Sequence, residues 1–152
     1  MNAEPIEIRD AAPGEREALE LLQRQSSDVW EQYREQLAAH PDAIELPAAW
    51  IDNGWVRVAA DAQDTPIGFS VVIPADDGSY ELDGLFVAPD RMRAGIGRAL
   101  VQDACARAQA DGATALQVIA GPATGFYEKL GFEIVSTAQT RFGPAVRMRR
   151  RL

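Results

Sequence analysis

The sequence predicts an α/β domain, and three observations carry that prediction. Three strand-like runs follow one another: WVRVAAD (55–61), IGFSVVI (67–73) and SYELDGLFV (79–87). Their alternation and β-branched content are the pattern of strands rather than helices. A long helical run then spans about 95–111, starting at a pair of glycines and ending before Gly112, which suits a helix C-cap. After it, ATALQVIA (113–120) reads as a buried strand, which gives a strand-helix-strand unit.

The remaining elements follow in order. IEIRDA (6–11) is a short strand. GEREALELLQRQ (14–25) is a helix with Ala18, Leu21 and Leu22 as its apolar positions. Ser26, Ser27 and Asp28 offer capping groups to a second helix, 29–40, whose Trp30, Tyr33 and Leu37 share one face. That stripe suits core packing or a wall of an acceptor pocket. The segment 41–54 is irregular, with a helical turn after Pro47. ATGFYEKL (123–130) is a short helix closed by Gly131, and 132–152 forms two strands about the turn Phe142-Gly143-Pro144. No repeat, low-complexity segment or linker interrupts the chain, so residues 1–152 read as one domain.

Composition narrows the function classes. With 152 residues, 47% of them hydrophobic, the chain can bury a core of its own. The net charge of −8 disfavours nucleic-acid partners, since phosphates need a basic stripe. The basic cluster of Arg147, Arg149, Arg150 and Arg151 suits a solvated last strand. A negative field favours a cationic substrate. No run is long and apolar enough for a membrane span, and the acidic start MNAEPIEIRD lacks a secretory apolar core, so the expected compartment is the cytoplasm. Cys105 alone can form no internal disulfide and suits a small core position in its helix. With His40 as the one histidine, no metal site is expected.

Two stretches carry chemistry. In LFVAPDRMRAGIGRALV (85–101) a strand ends at Val87, Pro89 stops it, and a loop containing Gly95 and Gly97 opens a helix. The first amides of a helix lack internal acceptors and, with the helix dipole, favour an anion; this places a phosphate or pyrophosphate at 92–98. The phosphate loop of nucleotide triphosphatases is absent, and a dinucleotide fingerprint would need glycine where Leu100 stands. The second stretch is GFYEKLGFEIV (125–135), where Phe126 and Tyr127 open a helix just past a strand.

Taken together these stretches resemble the GNAT family of N-acetyltransferases. The first is similar to the family's acyl-CoA motif, a strand ending in V-x-P followed by [QR]-x-x-G-x-[GA]; the second is similar to its FYEKLGF segment. The element order agrees over nearly the whole chain. Three positions depart from the pattern: Met92 and Arg93 replace the usual Gln or Arg and the glycine after it, and Ala120 stands where many members carry Asn. The latter puts one cofactor or substrate hydrogen bond in doubt.

The resemblance implies a mixed, twisted and partly splayed sheet with helices on both faces. It implies acetyl-CoA as co-substrate, with its pyrophosphate on the amides of Arg93, Ala94, Gly95, Ile96, Gly97 and Arg98. Backbone groups of Leu85, Phe86 and Val87 would hold the pantetheine arm, and Phe126 would pack on it. Tyr127 stands at the family's general-acid position; a phenol with a pKa near ~10 is protonated at neutral pH. For the base, strand alternation puts Glu81 and Asp83 on one face, and either carboxylate, or an ordered water, could serve. The expected reaction is direct acetyl transfer to an amine, either a small cationic amine or a protein lysine or N-terminus, and a homodimer is left open. The alternative from another class is a non-catalytic acyl-CoA-binding sensor.

Overall fold

The computed structural model describes residues 5–27, 38–39, 44–92, 94–140 and 143–152. The described helices are α1 (Arg16–Ser27), α2 (Ala48–Asp52), α3 (Ile96–Ala110) and α4 (Thr124–Lys129). The strands are β1 (Glu7–Asp10), β2 (Val56–Ala60), β3 (Pro66–Pro74), β4 (Tyr80–Val87), β5 (Ala115–Ala120), β6 (Glu133–Thr140) and β7 (Gly143–Arg151). They form one sheet in the order β1-β2-β3-β4-β5-β7-β6. The sheet is mixed: β4 and β5 run parallel, whereas β1/β2, β2/β3, β5/β7 and β6/β7 are antiparallel. This is the expected α/β architecture. Of the expected second helix, Ala38 and Ala39 are helical; Trp30, Tyr33, Leu37 and His40 lie outside the described residues.

The chain divides into two compact units, Met1–Val71 with Gly84–Leu100, and Val72–Asp83 with Val101–Leu152. In the first, residues 67–71 of β3 are buried without interruption, as in a strand covered on both faces. Phe69, Leu19, Leu46, Leu100, Val56 and Val58 are among its largest fully buried side chains. In the second, Leu116, Val101 and Met148 are fully buried, and Cys105 is the buried free thiol expected. The long helix α3 ends as the sequence indicates: Gly112 has φ +87, and the Ala113 amide returns to the Ala108 carbonyl at 2.9 Å.

The buried face of α1 differs from the expected one. Leu19, Leu22 and Ser26 are buried, while Leu21 is 56% exposed. Both sets fit a helical period, so periodicity alone could not choose between them. A polar position decides the phase. Ser26 lies in the last turn of α1, where its hydroxyl accepts the Val87 amide at 3.3 Å; the helix it is expected to help cap lies largely outside the described residues.

An ionic knot ties the entry to α1. The Arg9 guanidinium meets both Glu15 oxygens at 2.8 Å, and its Nε meets Asp64 at 2.9 Å. Glu15 also accepts the Ala12 amide at 2.8 Å. Arg9 in particular holds the Glu15 carboxyl below the usual carboxylate range. A depressed folded-state pKa contributes stability above the unfolded value and loses it as pH falls through the folded value. Glu15→Gln should therefore destabilise the chain by about 1 kcal/mol at neutral pH, the scale of a bidentate pair still open to solvent. Denaturant titrations of both proteins should converge at acid pH, below the folded-state pKa of Glu15; a constant difference at every pH would contradict this.

Candidate functional site

In the first unit, the joint between β4 and α3 is fixed at both ends. β4 is followed by a 3-10 turn, Pro89–Arg91, and the Ala88 amide is held by the Ile67 carbonyl at 2.9 Å. Gly95 then adopts φ +82, a conformation that disfavours a side chain, and its carbonyl accepts the Ala99 amide at 3.0 Å. Gly95 is thus the N-cap of α3, and Ile96, Gly97 and Arg98 are the first three helical positions, whose amides have no acceptor within the helix. A Cβ placed on Gly95 would find no other atom within 4 Å, so the space above this turn is open. Ala94 differs from its neighbours, since its amide donates to the Arg91 carbonyl at 3.3 Å. Arg93 lies outside the described residues.

Packing aims these amides. Ile96 is 3% exposed in a cluster with Ala59, Ile67 and Leu100, against which Leu85 and Val87 also pack. Phe86 stacks at a tilt on Phe69, with ring centroids 5.1 Å apart. Gly68 makes this possible: a Cβ there would lie 3.0 Å from Ile96 Cγ2 and 3.1 Å from the Phe86 carbonyl oxygen. Among the three strand residues expected to offer backbone groups, the Val87 amide is already occupied by Ser26. No local sequence signal pointed to Ser26, because its partner is 61 residues away.

In the second unit, Tyr127 is 7% exposed on α4, between Phe126 and Phe132. Both neighbours present edges to it, at centroid distances of 5.1 and 5.5 Å. Such T-shaped contacts fix a ring plane. The register of the sheet places Glu81 opposite Gln117, and Gln117 opposite Arg149. Arg147 lies two residues along β7 on the same face; its Nη1 donates to Gln117 Oε1 at 3.1 Å and stands 3.8 Å from Glu81 Oε1. Gln117 Nε2 donates to Ser79 Oγ at 3.0 Å and to Asp77 at 3.3 Å. Asp83 is exposed on β4; nearby protein mass raises its carboxyl somewhat above the usual range, and the Glu81 charge adds to this.

A separate cavity of about 600 Å³ in the second unit is lined by Gly131, Glu133, Val135, Arg149, Arg150 and Arg151. It includes none of the expected site residues. Among the described residues no group of His, Cys, Asp and Glu could hold a metal ion, and no helix is long and apolar enough to cross a membrane.

Comparison with known proteins gives a consistent picture. The family model described as an acetyltransferase (GNAT) domain matches residues 52–134. A peptidyl-lysine N-acetyltransferase, YjaB of Salmonella typhimurium, is 29% identical over 134 residues, covering 88% of each chain. The PaiA N-acetyltransferase of Thermoplasma acidophilum, solved in complex with coenzyme A, has the same fold, with a TM-score of 0.79 at 24% identity over 97% of this chain and 99% of that one. The apo form of YjaB from Escherichia coli superposes with a TM-score of 0.69 at 25% identity, covering 95% and 97% of the two chains.

The Gly68 contact is testable on its own. Gly68→Val should destabilise the chain by roughly 1–3 kcal/mol, the usual range for overpacking, because the new side chain meets Ile96 and a main-chain oxygen. A thermal or denaturant melt measures it, and an unchanged midpoint would mean that this packing can yield freely.

Proposed function

We infer the reaction from membership: the chain belongs to the GNAT acetyltransferase family, and is thereby an acetyl-CoA-dependent N-acyltransferase. Our reading is that it moves the acetyl group directly to an amine. The observation that carries it is the open, positive-φ turn at Gly95 followed by three helix-start amides. Such a turn fits a pyrophosphate: it offers donors and dipole without a side chain in the way.

Bound there, acetyl-CoA supplies the activated thioester. The chain's own groups do the rest. The amides of Ile96, Gly97 and Arg98 bind the pyrophosphate; those of Gly95 and Ala94, with Arg93, complete the expected set, Ala94 by exchanging its turn bond. Main-chain groups of Leu85, Phe86 and Val87 serve the pantetheine arm, and Phe126 packs on it. Tyr127, its ring held by Phe126 and Phe132, gives a proton to the leaving sulfur. Glu81, Asp83 or an ordered water takes the proton that the acceptor ammonium must lose before it can attack. For the acceptor, the sequence favours a small cationic amine. The name of the YjaB relatives, peptidyl-lysine N-acetyltransferase, favours a lysine side chain, and we adopt that reading. The acidic balance of the chain suits either.

Acetyl-CoA should raise the melting temperature progressively with concentration, since a ligand at a hundredfold excess over Kd adds about 2.7 kcal/mol. No shift at millimolar acetyl-CoA would defeat the assignment. Gly95→Glu should remain folded and lose this stabilisation, because the carboxylate enters the open space and repels phosphate; undiminished binding would move the phosphate site elsewhere. Tyr127→Phe should lower kcat by about 100-fold, somewhat less if water substitutes, with acetyl-CoA affinity little changed. Equal losses in binding and rate would make Tyr127 a packing residue.

A further inference from the structure

Arg149, Arg150 and Arg151 end β7 and take no part in the transfer described above. With Arg147 they hold four of the chain's 15 lysine and arginine side chains, in a molecule of net charge −8. A solvated last strand accounts for exposed arginines, but not for the cavity they line. That cavity lies at a step in the sheet edge. Glu133 and Arg149 are the last partners of the β6/β7 ladder, and Arg150 and Arg151 run on beside β5 alone. On the β6 side the chain arrives through Gly131, which turns with φ +89. The resulting space of about 600 Å³ is lined by residues from both sides of the step: Gly131, Glu133 and Val135 on one, the three arginines on the other.

The three guanidiniums are held differently. Arg150 Nη1 donates to the carbonyl of Leu130, the C-cap of α4, at 3.1 Å. That fork is fixed at the wall and keeps its other donors. The Arg149 and Arg151 side chains make no hydrogen bond or ion pair among the described residues. Glu133 stands opposite Arg149 in the ladder, yet no ion pair closes between them. Strand alternation puts Arg149 and Arg151 on one face, about 7 Å apart. Like charges so placed oppose one another unless an anion lies between them. Three arginines against one glutamate leave the lining with a net charge of +2. The volume is that of a small-molecule site, and guanidinium forks match paired anionic oxygens. We propose that this cavity is a second binding site, for a small dianion, either a phosphate monoester or a dicarboxylate. Arg149 and Arg151 bind its anionic oxygens, and Arg150 supplies the fixed wall. Val135, 53% exposed, meets its apolar body. Glu133 opposes the ligand's charge and so limits the affinity. The site stands apart from the acetyltransferase reading and does not depend on it.

The test adds glycerol 3-phosphate, succinate or acetate to the full chain at neutral pH and constant ionic strength. Arginine Cζ resonances are followed by ¹³C NMR. The amides of Ile96 and Gly97 report any phosphate binding at the start of α3 separately, so the two sites are told apart. Arg149, Arg150 and Arg151 should shift along one saturating curve with a dianion. The tighter of glycerol 3-phosphate and succinate assigns the ligand to phosphate monoesters or to dicarboxylates. Acetate should bind about tenfold more weakly, and Arg149→Gln and Arg151→Gln should each weaken dianion binding by about tenfold, the scale of one charge-assisted hydrogen bond. Both positions are exposed, so the variants should keep the amide spectrum of the fold elsewhere. Glu133→Gln should tighten binding several-fold. Shifts that rise without saturating into the tens of millimolar, or equal shifts with acetate, would mean adventitious ion binding and overturn the proposal. Native affinity in the double variant Arg149→Gln/Arg151→Gln would overturn it as well.

Discussion

The burial of Ile96 is the contact on which the start of α3, the proposed cofactor end, depends. It is the first helical residue of α3, and it is packed among Ala59, Ile67 and Leu100. Full burial of an isoleucine side chain is worth about 1.5–3 kcal/mol, enough to hold a helix start that would otherwise fray. Because the Ile96 side chain is fixed inward, the amides of the same turn are fixed in direction. Gly95 supplies the backbone turn, Gly68 supplies the room, and the Ala88–Ile67 bond holds the strand end that leads into it. An anion site made of backbone is only as well organised as the packing behind it.

Charge is used differently in the two units. Around Arg9, three ionic groups close on one another at 2.8–2.9 Å, and their effect is on stability. Around Arg147 the arrangement is looser and graded, with the guanidinium 3.8 Å from Glu81 and hydrogen-bonded to a neutral amide. A close bidentate pair would commit Glu81 and Arg147 to each other. A spaced one leaves both side chains partly open to solvent. The same residue types thus give a close clasp in one place and a looser polar array in the other.

Much of this was legible in the sequence where the information is local. Alternation found β2, β3 and β4, the two glycines found the start of α3, and Gly112 and Gly131 found the helix ends. The conjunction of AGIG and GFYEKLGF pointed to the family. What stayed hidden depends on partners far apart in the chain. The face of α1 could not be phased, since Ser26 finds its partner only when β4 is in place. Glu81 and Asp83 looked alike along β4; what distinguishes them is Gln117 on β5 and Arg147 on β7, brought together by sheet register. The ordinary-looking Gln117 carried no signal at all, because its value lies in the order of its hydrogen bonds.

The central claim, that helix-start amides of α3 hold the pyrophosphate of acetyl-CoA, is most directly tested by ¹H–¹⁵N NMR. The chain would be titrated with CoA and, separately, with pantetheine, which lacks the pyrophosphate. The account predicts that the amide resonances of Ile96, Gly97 and Arg98 shift strongly with CoA and little with pantetheine. Equal shifts with both ligands, or none with CoA while it binds, would contradict it.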